Sequence, residues 1–291
     1  MNYKLIARFA GLLLLVEGAA MLISLGVSLL TGGTDATAFI LSALACIVPG
    51  LVAVLATNKT KRTMARREAF MIVALVWLLF PFFGMLPYVL SGTIPNFSNA
   101  FFESMSGFST TGASIIDNVE SFPKGILFWR SMTQWLGGMG IVVLALSLLT
   151  NYGGFGIHLY DAEAPGPTLD KLEPHISQTA RTVWLVYLFF TALETLLLSL
   201  GGLSVFDSVC HSFTTMATGG FSTKQASIAF WPSPYIHYVV TFFMIVAGTN
   251  FTLLYYALKG KISKLYRDEE FKYFILFILG LVAGLGAVGA A

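Results

Sequence analysis

Two short segments carry the residues best suited to chemistry: Thr110, Thr111, Gly112 and Ala113, within 109–114, and Ala217, Thr218, Gly219 and Gly220, within 216–221. Each ends a moderately apolar stretch, 97–111 and 205–218. Backbone carbonyls in such a turn can replace the hydration shell of a cation. Glycine is needed there because lining up successive carbonyls requires φ values that side-chain-bearing residues rarely adopt. If 97–108 and 205–217 are short helices that enter a membrane and stop midway, their C-terminal ends each carry about half a negative charge and favour a cation at the turn.

Other candidates are weaker. Glu17, Glu103, Arg130 and Glu194 are ionisable residues in apolar surroundings, where a charge is costly and needs a reason. Glu103, on the first short helix, is placed to hydrogen-bond the backbone of the turn, and Glu17 and Glu194 to cap or bridge neighbouring helices. Arg130 lies about one turn inside its span, so snorkelling to the surface and a functional role are both open. Asp207 and His211 flank the second short helix and can tune its outer mouth. His158, His175, His211 and His237 have no metal-ligand spacing, and no nucleophile elbow, phosphate loop or dinucleotide fingerprint appears. The chain therefore reads as a non-enzyme without cofactor. Cys46 and Cys210 form no disulfide framework and are expected to be buried free thiols.

The elements that must hold the turns follow from composition. Of 291 residues, 56% are hydrophobic and 11% charged, more apolar surface than a soluble chain of this size can bury, so lipid is the solvent for much of it. A net charge of +2 leaves no footprint for nucleic acid. Apolar segments long enough to span about 30 Å of hydrocarbon lie at 5–30, 37–57, 69–90, 126–149, 180–200, 235–257 and 272–291. Basic residues crowd into 58–68 and 259–272; with Lys4, Arg8, Lys171 and Arg181, fourteen of seventeen fall on one side. By the positive-inside rule that side and the N-terminus are cytoplasmic. The count holds only if 97–111 and 205–218 enter and leave from outside without crossing. Expected architecture is thus an all-α polytopic membrane protein of repeated helix, pore-helix, helix units.

The repeat sets the organisation. Two N-terminal helices occupy 1–67, a first pore repeat 68–150, a cytoplasmic linker 151–178, a second repeat 179–258, and a loop with the first helix of an incomplete third repeat 259–291. Aligning Gly112 with Gly219 gives an offset of 107 residues and pairs Thr111 with Thr218. Two repeats do not close a pore, so the chain is expected to be part of a longer protein. Both repeats start and end inside; they are parallel, which favours a pore-like ring over the inverted repeats of many ion-coupled secondary transporters of cations, the alternative reading.

The sequence resembles the Trk/Ktr/HKT superfamily of potassium transporters, and within it the bacterial Trk membrane subunits. The resemblance rests on 101–114 (FFESMSGFSTTGAS), 130–141 (RSMTQWLGGMGI), 162–167 (AEAPGP) with Thr179 and Ala180, and 215–222 (TMATGGFS). It implies four repeats around one pore, preceded here by two extra helices, with Gly112 and Gly219 matching the family's filter glycines. It further implies potassium as the transported ion, held by backbone carbonyls of Thr111, Gly112, Thr218 and Gly219, in a bacterial inner membrane protein. A homodimer bound at its cytoplasmic face to a nucleotide-binding (NAD or ATP) regulatory subunit is the implied assembly.

Overall fold

The computed structural model describes residues 2–57, 66–140 and 176–289, and the regular structure among them is helical. In chain order the helices are α1 (Tyr3–Leu30), α2 (Ala36–Ala56), α3 (Arg66–Gly84), α4 (Leu86–Leu90), α5 (Phe97–Phe108), α6 (Lys124–Gly138), α7 (Ile176–Leu200), α8 (Val205–Met216), α9 (Pro234–Ala247), α10 (Phe251–Leu258), α11 (Ile262–Arg267) and α12 (Glu269–Gly289). Among the described residues, four helical stretches are long and apolar enough to cross a membrane: Tyr3–Leu30, Ala36–Ala56, Phe70–Leu90 and Ala180–Leu200. Lipid-facing leucine, isoleucine and phenylalanine remain exposed along them, as expected where hydrocarbon replaces water. The basic residues of 58–65, the end of the fourth expected span at 141–149, and the linker 151–175 with His158, His175, Lys171 and the motif at 162–167 lie outside the described residues.

Two of the helices too short to cross lead into the glycine-bearing turns. α5 and α8 have 12 residues each, about 18 Å at 1.5 Å per residue. Each starts on a side-chain cap: Asn96 accepts from the Asn99 amide at 3.1 Å, and Ser204 from the Asp207 amide at 3.0 Å. Each is followed by irregular chain instead of continuing, so a helix start is encoded locally and the stop comes from the glycine-bearing turn.

The uninterrupted span expected at 235–257 is broken. α9 and α10 meet at 108°. Gly248 ends α9, the Thr249 hydroxyl turns back to the Ile245 carbonyl at 2.8 Å, and the Asn250 side chain accepts the Thr252 amide at 2.9 Å to begin a new helix. Hydropathy stays high across the break, so a length criterion alone reads it as one helix.

The core joins both repeats. Trp135 of α6 stacks on Tyr187 of α7 and Phe213 of α8, with ring centroids 5.6 and 4.8 Å apart. Tyr187 donates to the Trp135 carbonyl at 3.0 Å, and the Trp135 indole to Thr191 at 3.2 Å. Aromatic pairs of this kind add roughly 0.5–1.5 kcal/mol each beyond burial, so α6 of the first repeat is fastened to the second. Cys46 and Cys210 are buried free thiols.

Candidate ion-coordinating site

The two turns share one backbone design. After α5, Ser109 stays right-handed, Thr110 has φ +56° and Gly112 φ +73°. After α8, Ala217 stays right-handed, Thr218 has φ +56° and Gly220 φ +78°. Positive φ thus alternates with negative at 110–112 and 218–220, an arrangement that lets successive carbonyls face one edge of the chain. The Gly112 amide donates to the Ser106 carbonyl at 3.4 Å, and the Gly220 amide to the Thr214 carbonyl at 3.3 Å. Each strand is therefore hung on the last turn of its own short helix. The strands also meet: a Cβ on Gly112 would collide with the carbonyl oxygen of Gly219.

Charged and polar side chains fix both strands from behind. Glu103 accepts from the Ser114 hydroxyl at 3.0 Å and the Ile115 amide at 3.1 Å, and from Arg130 Nε at 2.6 Å. Arg130 continues to the second strand, donating to the Ser222 carbonyl at 3.1 Å with its guanidinium 3.6 Å over the Phe221 ring. Glu103 is 0% and Arg130 3% exposed. A buried pair of this kind persists only when extra hydrogen bonds satisfy both charges, and here those bonds are to the two strands. In the second repeat, Asp207 accepts from Thr223 at 2.6 Å and His211 Nε2 lies 3.0 Å from the Ser222 hydroxyl.

α6 runs between the short helices. Gly137 packs against the Phe108 carbonyl, where a Cβ would overlap it, and Gly138 against Ala217, whose Cα would lie 2.6 Å from a Cβ. The glycines at 137 and 138 thus permit the close approach of α6 to the ends of both short helices. Gly137→Ala is expected to destabilise the protein by about 1–3 kcal/mol, because backbone at a helix end cannot yield as a side chain would. The check is a lowered unfolding temperature of the detergent-solubilised protein. Beneath both strands lies a cavity of about 450 Å³, bordered by Ser109, Thr110, Thr218, Gly140, Thr249 and Asn250. The break between α9 and α10 lines this cavity, which explains irregular backbone among apolar helices: its amides and carbonyls meet an open cavity instead of lipid.

Residues 35–283 match the family described as TrkH, cation transport protein. The chain belongs to the TrkH family. It is 40% identical over 279 residues to the Trk system potassium uptake protein TrkH of Escherichia coli K12, covering 94% of this chain and 58% of that protein. It is 36% identical over 229 residues to TrkG of the same organism, covering 78% and 47%. The crystal structure of the potassium transporter TrkH from Vibrio parahaemolyticus superposes with a TM-score of 0.83 at 32% identity, over 97% of this chain and 58% of that one. This chain thus spans somewhat over half the length of the curated relatives it matches.

Within this TrkH-family fold, two further expectations need correction, on the repeat and on Glu17, and the open reading of Arg130 is decided. The internal repeat runs at 108 residues, not 107: the helix caps Asn96 and Ser204, the threonines 110 and 218, and the positive-φ glycines 112 and 220 all pair at that spacing. Gly112 therefore corresponds to Gly220, and Thr111 to Gly219. Gly219 is a glycine for another reason: a Cβ there would collide with the carboxamide of Gln134. Arg130 does not snorkel; it is buried in the network just described. Glu17 makes no hydrogen bond across to a neighbour among the described residues, although it is fully buried at the seam with α3, its Oε1 3.2 Å from where a Cβ of Gly84 would be. Glu103 holds the turn's backbone, as its position on the short helix implied. Gln134 was missed, and its signal was slight: one amide side chain four residues after a buried arginine on the same helix face.

Proposed function

We propose that this chain forms two of the four walls of a potassium-uptake pore, with the strands at 110–113 and 217–220 as its selectivity filter. The observation that carries this reading is the pair of φ-alternating strands, side by side above one cavity. Backbone carbonyls of Thr111 and Gly112, and of Thr218, Gly219 and Gly220, are the proposed potassium ligands. The pore helices α5 and α8 direct the negative ends of their dipoles toward the cavity beneath and favour a cation there. The chemistry is passage of an ion, without catalysis and without a cofactor in this chain.

The wider protein follows the same reading. Two further repeats complete the ring, the N-terminus and the basic stretch 259–272 face the cytoplasm of a bacterial inner membrane, and the assembly is a homodimer bound to a nucleotide-binding regulatory subunit. Relatives named as potassium uptake proteins support the choice of ion. The complete transporter, expressed in cells lacking potassium uptake, is expected to restore growth at low potassium and to take up potassium in preference to sodium. Equal uptake of both ions would count against a potassium filter.

A further inference from the structure

The second filter strand is held by the first repeat as well as by its own. At the spacing of 108, Ser106 corresponds to Thr214 and Ala113 to Phe221. In the first repeat the Ser106 hydroxyl bonds the Ala113 carbonyl at 2.5 Å, an anchor within the repeat. In the second, the Thr214 hydroxyl donates instead to the His211 carbonyl of its own helix at 3.1 Å. What reaches Phe221 is Gln134, from α6 of the first repeat: its Oε1 accepts the Phe221 amide at 3.0 Å.

That contact belongs to a continuous face. Arg130, Gln134 and Gly138 are spaced by four residues and line up along α6. Arg130 donates to the Ser222 carbonyl, Gln134 accepts from the Phe221 amide, and Gly138 admits Ala217. The first two side chains thus offer a donor and an acceptor to adjacent backbone groups, as a neighbouring strand would. Gln134 is 0% exposed, and its Nε2 has no partner among the described residues. Nε2 lies 3.7 Å from where a Cβ of Gly112 would be, and Gly219 has no Cβ to displace the carboxamide. The side chain therefore stands in the seam between the strands, and only an oxygen can face the Phe221 amide, which fixes which way the carboxamide points.

We infer that Gln134 is a positioning residue for ion selectivity, setting the spacing of the second filter strand against the first. The inference rests on the filter reading above. Without the acceptor, the Phe221 amide is left unpaired and the strand is free to move relative to Gly112, so the carbonyl spacing that suits a desolvated potassium ion is no longer enforced.

The test uses the complete transporter in potassium-uptake-deficient cells, with membrane abundance measured alongside initial uptake of potassium and of sodium. Gln134→Met, close in shape and without polar atoms, is expected to raise the sodium-to-potassium uptake ratio about tenfold, the size of effect one buried hydrogen bond carries. Gln134→Met present at normal abundance with an unchanged ratio overturns the inference. If Gln134→Met is absent from the membrane, Gln134→Leu, which likewise offers no acceptor to the Phe221 amide, decides by the same readout: a raised ratio supports the inference, and an unchanged one overturns it. A wild-type protein that does not prefer potassium overturns the filter reading instead, so the two failures are distinguishable.

Discussion

Gly112→Ala is expected to abolish growth at low potassium when the complete transporter is the only uptake system. Two costs combine. Residue 112 has φ +73°, and an L residue in the left-handed region loses about 1–2 kcal/mol. The added methyl would also meet the Gly219 carbonyl oxygen, which is backbone of the opposite strand and is itself hung on Thr214. One strand must move, and the carbonyl positions move with it. Gly220→Ala carries the same left-handed strain at φ +78°, but its methyl meets no atom of the described residues within 4 Å, so a partial loss is expected. Gly219→Ala falls between them, since its methyl meets a side chain. Potassium uptake at matched membrane abundance should rank the three as 112, 219, 220 from most to least impaired. Equal activity of Gly112→Ala and wild type would exclude a rigid filter at this position.

The second large effect concerns the buried ion pair. Arg130→Met should leave Glu103 as an uncompensated carboxylate with 0% exposure, a change that costs about 3–5 kcal/mol. It should also release the Ser222 carbonyl and uncover the Phe221 ring. Expected results are a large fall in the unfolding temperature of the purified protein and little uptake. The double variant Glu103→Gln with Arg130→Met removes both charges, and its destabilisation should be smaller than the sum of the single changes, because the two residues share one network. Strict additivity would show that the pair contributes nothing as a pair. Even the double variant is not expected to recover full potassium uptake, since the bridge from Glu103 through Arg130 to the second strand is gone.

Much of the architecture was legible in the sequence because the rules involved are local. The start of α5 is written in Asn96 and the start of α8 in Ser204, and the turns after them in Thr-Gly steps. Runs of apolar residues marked α1, α2 and α7 because hydrocarbon thickness imposes a length. The register of the repeat was less legible. Matching identical letters put Gly112 over Gly219, whereas the backbone pairs Gly112 with Gly220. The true register needs threonine, a β-branched residue, at positive φ in positions 110 and 218, which local preference opposes; only the surrounding packing holds it there. The break at 248–250 escaped for a related reason: its residues are short and weakly polar, and what permits them is the cavity beneath, not the hydropathy of the chain.

Composition and charge placement settled the solvent, the helical class and the presence of two glycine-bearing turns, since each depends on residues near one another in the chain or on their totals. Which groups meet was decided by the fold. Glu103 and Arg130 are 27 residues apart, Arg130 and Ser222 are 92 apart, and Gln134 and Phe221 are 87 apart. No periodicity links them. Burial supplies the link: a charge or an amide removed from water must find a partner, and α6, lying between the two short helices α5 and α8, is where those partners could be brought together.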